Sequence, residues 1–521
     1  MLFRSGDVLV AEAATLSAKV ALGGALREDT LFYRLALGRE KTDGYVDNTA
    51  TGDKAAFRDV RSVRGTLTYG PQDSAVRVDL SGYYNGQNNA ANGFAMVPTV
   101  NTVRRTVTLD PQSVTEFETY GGNVRALWEI SDNQSITSIT SFDVLNDINQ
   151  FFDVDYSELD IIALMPDSDS KTFAQELRYR ARMASWAEVL TGAFYTEGDR
   201  HTVQQFTLFG TLLQDLVVAS TFESSAAFMN LRLTPLEQLE LELGMRYDET
   251  RRQAVRTNRL SGARPATLSA SEDVWQPKVA ATYHWTDDVM TYASAARGYR
   301  TGGFNSPSLG PGNLTYLPER TWNYEIGLKG SWFGGRLSGA ANIFYVDDDD
   351  AQIEQLLVTP NGAITSGTTN AGKLIARGVE IDFAARLGER LSVRGGYSLN
   401  EFDIDGGLRL IGAEERKLIL SGRFEQPLAA SVRGVVLLDY NAFGPVWFSN
   451  TEQQERKSVV DLQIGAEIGE HLQIFGFVKN ALDEEYFAVY SDPGPLPTAP
   501  EMHLGMPADP RQMGVRVSFS Y

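Results

Sequence analysis

Histidine is the scarcest residue here that could carry chemistry: His201, His284, His471 and His503 are the only four in 521 residues. They lie far apart and form no His-Glu-x-x-His pair of the kind that holds zinc. The densest carboxylate run is Asp347-Asp348-Asp349-Asp350. It lacks the alternating Asp-x-Asp-x-Asp-Gly loop from which calcium draws about 6 to 8 oxygen ligands, so it reads as a solvated or divalent-bridged strand end. Glycines cluster at Gly298, Gly302 and Gly303, but without G-x-G-x-x-G spacing and with no helical pattern after them. That is loop geometry, not a phosphate cradle. No Gly-x-Ser-x-Gly elbow occurs, and the absence of cysteine removes disulfides and thiolate ligands. No catalytic machinery, metal site or cofactor is implied, and the chain reads as a non-enzyme.

The elements that must position these residues are strands. Residues 328–332 run into the turn Phe333-Gly334-Gly335, and 336–346 leave it with Leu337, Gly339, Ala341, Ile343 and Tyr345 on one face. Residues 377–387 alternate Val379, Ile381, Phe383, Ala385 and Leu387 against Glu380, Asp382 and Arg386. After Gly388-Glu389-Arg390, Leu391, Val393, Tyr397 and Leu399 alternate with Ser392, Arg394, Ser398 and Asn400. Short turns recur at 27–30, 70–74, 131–134, 183–186, 235–238, 285–288, 333–335, 388–390, 427–431 and 469–471. Between them lie longer polar connections, the largest at 85–114, 145–170, 198–219, 251–271, 302–318 and 481–510.

Apolar/polar alternation in strands of roughly ten residues, joined alternately short and long, is the pattern of a transmembrane antiparallel β-barrel. Ten hairpins plus the last strand, 511–521, give 21 strands from about Leu16. An odd count does not close the usual even-numbered bacterial barrel, so a further strand is expected before Leu16, with 7–13 as its candidate. The expectation is therefore an all-β barrel of about 22 strands, with short periplasmic turns and long extracellular loops. Residues 1–15 are its N-terminal remnant and candidate first strand, and 16–521 the barrel. Trp128, Trp186, Trp285 and Trp332 sit beside short turns, and Trp275, Trp322 and Trp447 near the opposite strand ends, with none expected in mid-strand. That placement suits two interfacial girdles.

Composition agrees. Hydrophobic residues make up 43% of the chain, yet no window approaches the roughly 18 uncharged apolar residues of a membrane helix. A formal charge of −20 argues against nucleic acid and is met simply by an acidic, soluble surface.

Several stretches, in order, make the sequence similar to the barrel domain of TonB-dependent outer-membrane receptors: 170–178 rising to Gly192-Ala193-Phe194-Tyr195, and Leu243-Gly244-Met245-Arg246-Tyr247. The densest is 292–305, with Arg297, Gly298, Tyr299, Gly302, Gly303, Phe304 and Asn305. Residues 318–329, Asn342-Ile343-Phe344-Tyr345, Gly378-Val379-Glu380 and 478–483 follow, and the aromatic Tyr521 matches the assembly signal of such barrels. The resemblance implies an outer membrane of a Gram-negative bacterium, outer-membrane lipid around the barrel, and energised uptake of a scarce nutrient. An iron–siderophore complex leads, with cobalamin or an oligosaccharide as other substrate classes. It also implies a plug, a signal peptide and a TonB-contacting box, none of which is read in these residues, so a TonB complex is expected as partner only where a plug is supplied. A passive plugless pore and a truncated, non-transporting fragment stand as alternatives, with a soluble carbohydrate-binding β protein such as a propeller behind them.

Under that resemblance the candidate ligand contacts are Phe151, Phe152, Tyr156, Phe206 and Tyr316, with Phe209, in the long loops, where they could stack on a sugar or an aromatic siderophore. Packing the loops together is their competing role. Arg300, with Arg297, Arg377 and Arg394, could draw in an anionic ferric chelate from the lumen wall, or pair with the acidic excess.

Overall fold

A computed structural model describes residues 3–71, 74–90, 93–109, 113–153, 156–159, 161–305, 314–358, 364–491 and 503–521. Twenty-two strands form one continuous antiparallel sheet. It closes where the first strand, Phe3–Ala11, pairs both with Thr15–Arg27 and with the last strand, Gln512–Ser520. A propeller, which would divide its strands into separate blades, is thereby excluded.

Nine of the ten short turns expected from the sequence lie wholly within the described residues, and each joins two adjacent barrel strands. The tenth, 70–74, includes residues 72 and 73, which lie outside them. Backbone conformation explains the tightness. Phe333, Gly334 and Gly335 all take positive φ, at 55°, 65° and 81°, which two glycines make affordable. Both chain ends lie beside these turns: Ser520 N–H reaches His471 O at 2.9 Å.

On the opposite rim the structure departs from the sequence reading. Seven consecutive strands between Val114 and Thr286 run for 18 to 26 residues, not ten. Much of what reads as loop at 145–170, 198–219 and 251–271 is strand. Ala187–Leu208 and Thr211–Leu236 meet at Phe209-Gly210 alone, with φ of 48° and 69°, the signature of a two-residue primed turn. Around 197–202 both faces are polar, and farther loopward apolar residues stand on both faces, as at Val217 and Val218, so alternation fades although the hydrogen-bonded ladder continues. One connection on this rim is also short: residues 12–14 join the first two strands.

Outward faces carry the apolar residues, among them Ile326, Ile343 and Ile464 at 59%, 58% and 56% exposure. Trp275 falls in the middle of Ala266–Thr286 because this strand continues loopward past the membrane. It packs tilted against Tyr247 at 4.7 Å, and Trp322 stacks on Tyr324 at 5.9 Å. Trp275 and Trp285 are ten residues apart on one strand, as are Trp322 and Trp332 on another. Ten residues at about 3.3 Å each, tilted by roughly 40°, span about 25 Å, the height of the apolar band of such barrels.

Within the membrane band the wall encloses polar residues. The buried apolar cluster lies in the loops instead, where Val46, Val97, Leu109, Phe448, Phe487, Tyr490 and Leu504 pack together. A three-stranded sheet of Ala95–Val97, His503–Pro507 and Phe487–Ser491 forms part of it.

Candidate substrate-facing lumen

Residues that alternate with the outward girdle line the lumen, and in the membrane band their charges are largely paired. Arg246 donates to both carboxylate oxygens of Asp248 at 2.7 Å, and Gln276 Nε2 donates to the same carboxylate at 2.7 Å. The Arg246 guanidinium also lies over the rings of Phe194 and Phe228 at 5.5 and 5.7 Å. Lys278 reaches Glu242 at 3.1 Å, and Arg423 bridges Glu425 and Glu467 at 2.6 and 2.7 Å. Tyr83 donates to Asp143 at 2.5 Å, and Tyr292 to Glu325. Such a wall is water-compatible, and it holds its side chains in place by charge-assisted contacts.

The densest family stretch turns out to be a fastening. Pairing of Val289–Arg300 with Ala266–Thr286 ends at Lys278↔Ala296. The chain then bends so that Gly302 N–H reaches Glu272 Oε2 at 3.3 Å. Gly303-Phe304 pairs with Thr315-Tyr316. A side chain on Gly302 would run into the Tyr316 carbonyl, so that position needs glycine, and one on Gly303 would displace the Tyr316 ring. Asn305 donates from Nδ2 to Thr368 O at 2.7 Å and accepts the Thr368 N–H at Oδ1 at 2.8 Å. Gln352 donates to Thr301 O and Leu317 O, and Asn370 exchanges two hydrogen bonds with Leu317. Arg297, Gly298 and Tyr299 lie on the strand feeding this knot; Arg297 stands opposite Trp322 in the register. A second family asparagine, Asn480, does the same elsewhere: it is 5% exposed and binds the backbone of Glu484 and Asp509.

The candidate ligand contacts are dispersed. Tyr156 is 6% exposed and belongs to the loop cluster, so its ring packs loops together. Tyr316 packs in the knot. Phe151 and Phe152 lie on Gln134–Asp153, and Phe206 on Ala187–Leu208, strands where the sequence suggests loops. Phe206 shares its face with Phe194 and Arg200, on the lumen side. Phe209 stands at a hairpin tip, 71% exposed. Arg300 faces Glu319 at 3.6 Å. Arg394 alternates with Val393 toward the lumen, but Arg377 does not: opposite the outward Tyr345, it pairs with Glu401 at 2.7 Å. Its odd position in the strand, shared with Ile381, was the available signal.

Asp347 forms an ion pair with Lys373 at 2.9 Å, and this contact raises the Lys373 ammonium above its ordinary range. Among the described residues no group of three or more His, Asp or Glu is placed to hold a metal ion. In the loops, burial pushes the Tyr486 phenol upward.

Sequence reading missed Arg200, Arg252 and Arg256, which fall inside the segments taken for loops. Their lumen-facing parity follows once Arg246 and Asp248 fix the face of Leu239–Asn258. Arg256 stands nine residues loopward of Tyr247, and burial lowers its guanidinium from the usual value.

A family model described as TonB dependent receptor-like, beta-barrel matches residues 29–481. The pesticin receptor of Yersinia pestis is 25% identical over 283 residues, which is 51% of this chain and 40% of that protein. The ferric-pyoverdine M114 receptor PbuA of Pseudomonas sp. strain M114 is 27% identical over 177 residues, 34% of this chain and 21% of that protein. The chain thus spans less than half the length of these relatives. Among solved structures, the ferric yersiniabactin uptake receptor FyuA from Yersinia pestis superposes with a TM-score of 0.89 at 17% identity, covering 100% of this chain and 80% of that one. The siderophore receptor PiuA from Acinetobacter baumannii gives 0.81 at 15% identity, covering 100% and 82%. At these identities the likeness is one of fold.

Proposed function

This chain belongs to the TonB-dependent receptor family as its β-barrel, and from that premise we propose that it serves in the outer membrane of a Gram-negative bacterium to take up an iron–siderophore complex. The observation that carries the reading is the wall itself. Twenty-two strands enclose a space too wide for their own side chains to fill, with a polar, ion-paired inner face and apolar girdles outside. Such a wall suits passage of a large polar solute across lipid. Relatives named for ferric pyoverdine direct the choice of solute toward ferric chelates rather than cobalamin or oligosaccharide.

The partners that go with this function are outer-membrane lipid around the girdles, the chelate in the lumen, and a TonB complex acting through a plug. Uptake itself tests it. Cells lacking the gene, starved of iron and supplied with ⁵⁵Fe-labelled siderophores, should lose TonB-dependent accumulation of at least one of them. Unchanged accumulation of every ferric siderophore, with loss of cobalamin or oligosaccharide uptake instead, would replace the substrate class.

A further inference from the structure

The tall wall is electrically two-faced above the membrane. On Ala187–Leu208, Thr211–Leu236 and Leu239–Asn258, the contacts of Arg246, Asp248, Phe194 and Phe228 place even-numbered residues on the lumen side. Loopward of Thr250 the lumen positions of these strands carry Arg200, Arg252 and Arg256 and no carboxylate. Over the same height the outward positions carry Glu197, Asp199, Asp215 and Glu223 against the single Arg251. In a chain of net charge −20 these three strands show a local reversal of sign, with Glu272 on the neighbouring strand the carboxylate that shares the lumen face beside Arg252 and accepts the Gly302 N–H.

Aromatic rings stand among these cations. Arg252 lies opposite Phe222, and Phe222 lies against Gly198, where a side chain would collide with its ring. The ring therefore lies over Gly198, close against the lumen side of the wall. Arg252 Nε is enclosed without a hydrogen-bond partner among the described residues, whereas Arg200 Nε is steadied by Ser168 Oγ at 2.7 Å. Phe206 completes the strip nearer the hairpin tip.

We propose that this strip, Arg200, Arg252 and Arg256 with Phe222 and Phe206, is the docking track for the substrate, and that the substrate is an anionic ferric chelate with aryl oxygen donors. Guanidinium groups bind the chelate's oxygens and its net charge, and the flat rings stack on its aryl groups. A neutral hydroxamate chelate has neither the net charge nor the aryl groups. The proposal rests on the uptake reading and narrows it.

The test uses the full chain, purified, with binding followed by tryptophan fluorescence. The probes are the trianionic tris-catecholate ferric enterobactin and the neutral tris-hydroxamate ferrichrome. Ferric enterobactin should bind the more tightly and weaken as salt rises from about 0.1 to 0.5 M. Arg252→Gln and Arg200→Gln should each lower its affinity about tenfold, as loss of a charge-assisted hydrogen bond implies, with Arg252→Lys recovering part. Arg251→Gln removes the same charge one residue away on the outer face and should leave binding unchanged. Equal affinity for ferrichrome, or equal loss in the Arg251 and Arg252 variants, overturns the track while leaving siderophore uptake standing. Failure of folded, heat-modifiable protein to bind any ferric chelate overturns the uptake reading and the track together.

Discussion

Arg4 and Tyr521 exchange backbone hydrogen bonds at 2.9 and 2.8 Å, so the first strand and the last residue close the barrel on each other. Beside them, the Asp7 carboxylate accepts from Arg516 Nε and Ser518 Oγ, both at 2.6 Å. Because this seam joins the first strand to the last, its side chains bear directly on closure. Arg516→Asp sets two carboxylates face to face, and should reduce the fraction of barrel that keeps its compact mobility in unheated SDS gels. The charge-swapped pair Asp7→Arg with Arg516→Asp should recover it. A single variant as compact as the parent would show that the seam does not depend on this contact.

Membrane placement predicts a difference between faces. Ile343 is opposite Ile326, midway between the two girdles and facing out, while Ser398 lies on the lumen face beside Glu380. Arginine at the bilayer midplane costs roughly 2 to 4 kcal/mol on a lipid-facing site. Ile343→Arg should therefore lower folding yield in lipid vesicles, and Ser398→Arg should not. Equal yields would mean the faces are assigned wrongly.

Tryptophan depth checks the band directly. In variants retaining a single tryptophan, Trp275, Trp285, Trp322 and Trp332 should all be quenched best by lipids brominated near the headgroup. Strongest quenching by a label at the chain end would break the spacing from which the apolar height is derived.

The strand pattern from 322 to 400 was legible because one face there meets lipid and the other water, which enforces alternation. The same logic gave the turns and the need for a strand before Leu16; Phe3–Ala11 is the strand found there, pairing at Val8 with both Ala18 and Val517. Legibility failed where both faces meet water. At 197–202 Glu197, Asp199 and His201 alternate with Gly198, Arg200 and Thr202, all but glycine polar, so period-two alternation marks no apolar face there. The arginine strip was hidden for that reason. Contacts such as Asn305 with Thr368 were equally out of reach, since their partners are 63 residues apart.

The knot around Asn305 predicts a local phenotype. Asn305→Ala leaves the Thr368 N–H and C=O without their side-chain partner, a loss of about 1 to 3 kcal/mol if they stay buried. Cleavage within residues 352–370 by thermolysin, which cuts beside aliphatic residues such as Ile353, Leu356 and Leu357 of this segment, should accelerate, with the barrel intact. Slower cleavage, or collapse of the whole barrel, would assign the motif another role.

The loop cluster should behave as a unit separate from the wall. Phe487 is 1% exposed, its ring 5.5 Å from Tyr490, which in turn packs 5.4 Å from Phe448. Its N–H donates to Gln454 Oε1 at 2.8 Å, joining the segment at 487 to that at 454. Truncating a buried phenylalanine to alanine costs about 3 to 5 kcal/mol, and a cluster of this size has little surplus stability to absorb it. The strands beneath are held by a continuous hydrogen-bonded ladder that Phe487 does not touch. Phe487→Ala should therefore raise amide exchange across 95–97, 446–448 and 487–491 together, while exchange in Leu337–Asp349 and heat-modifiable mobility stay at the parent values. Tyr156→Ala should reproduce the effect from another loop, because its ring sits in the same cluster. Exchange confined to the mutated segment in both variants would show that the loops pack independently and that no common cap covers this side of the barrel.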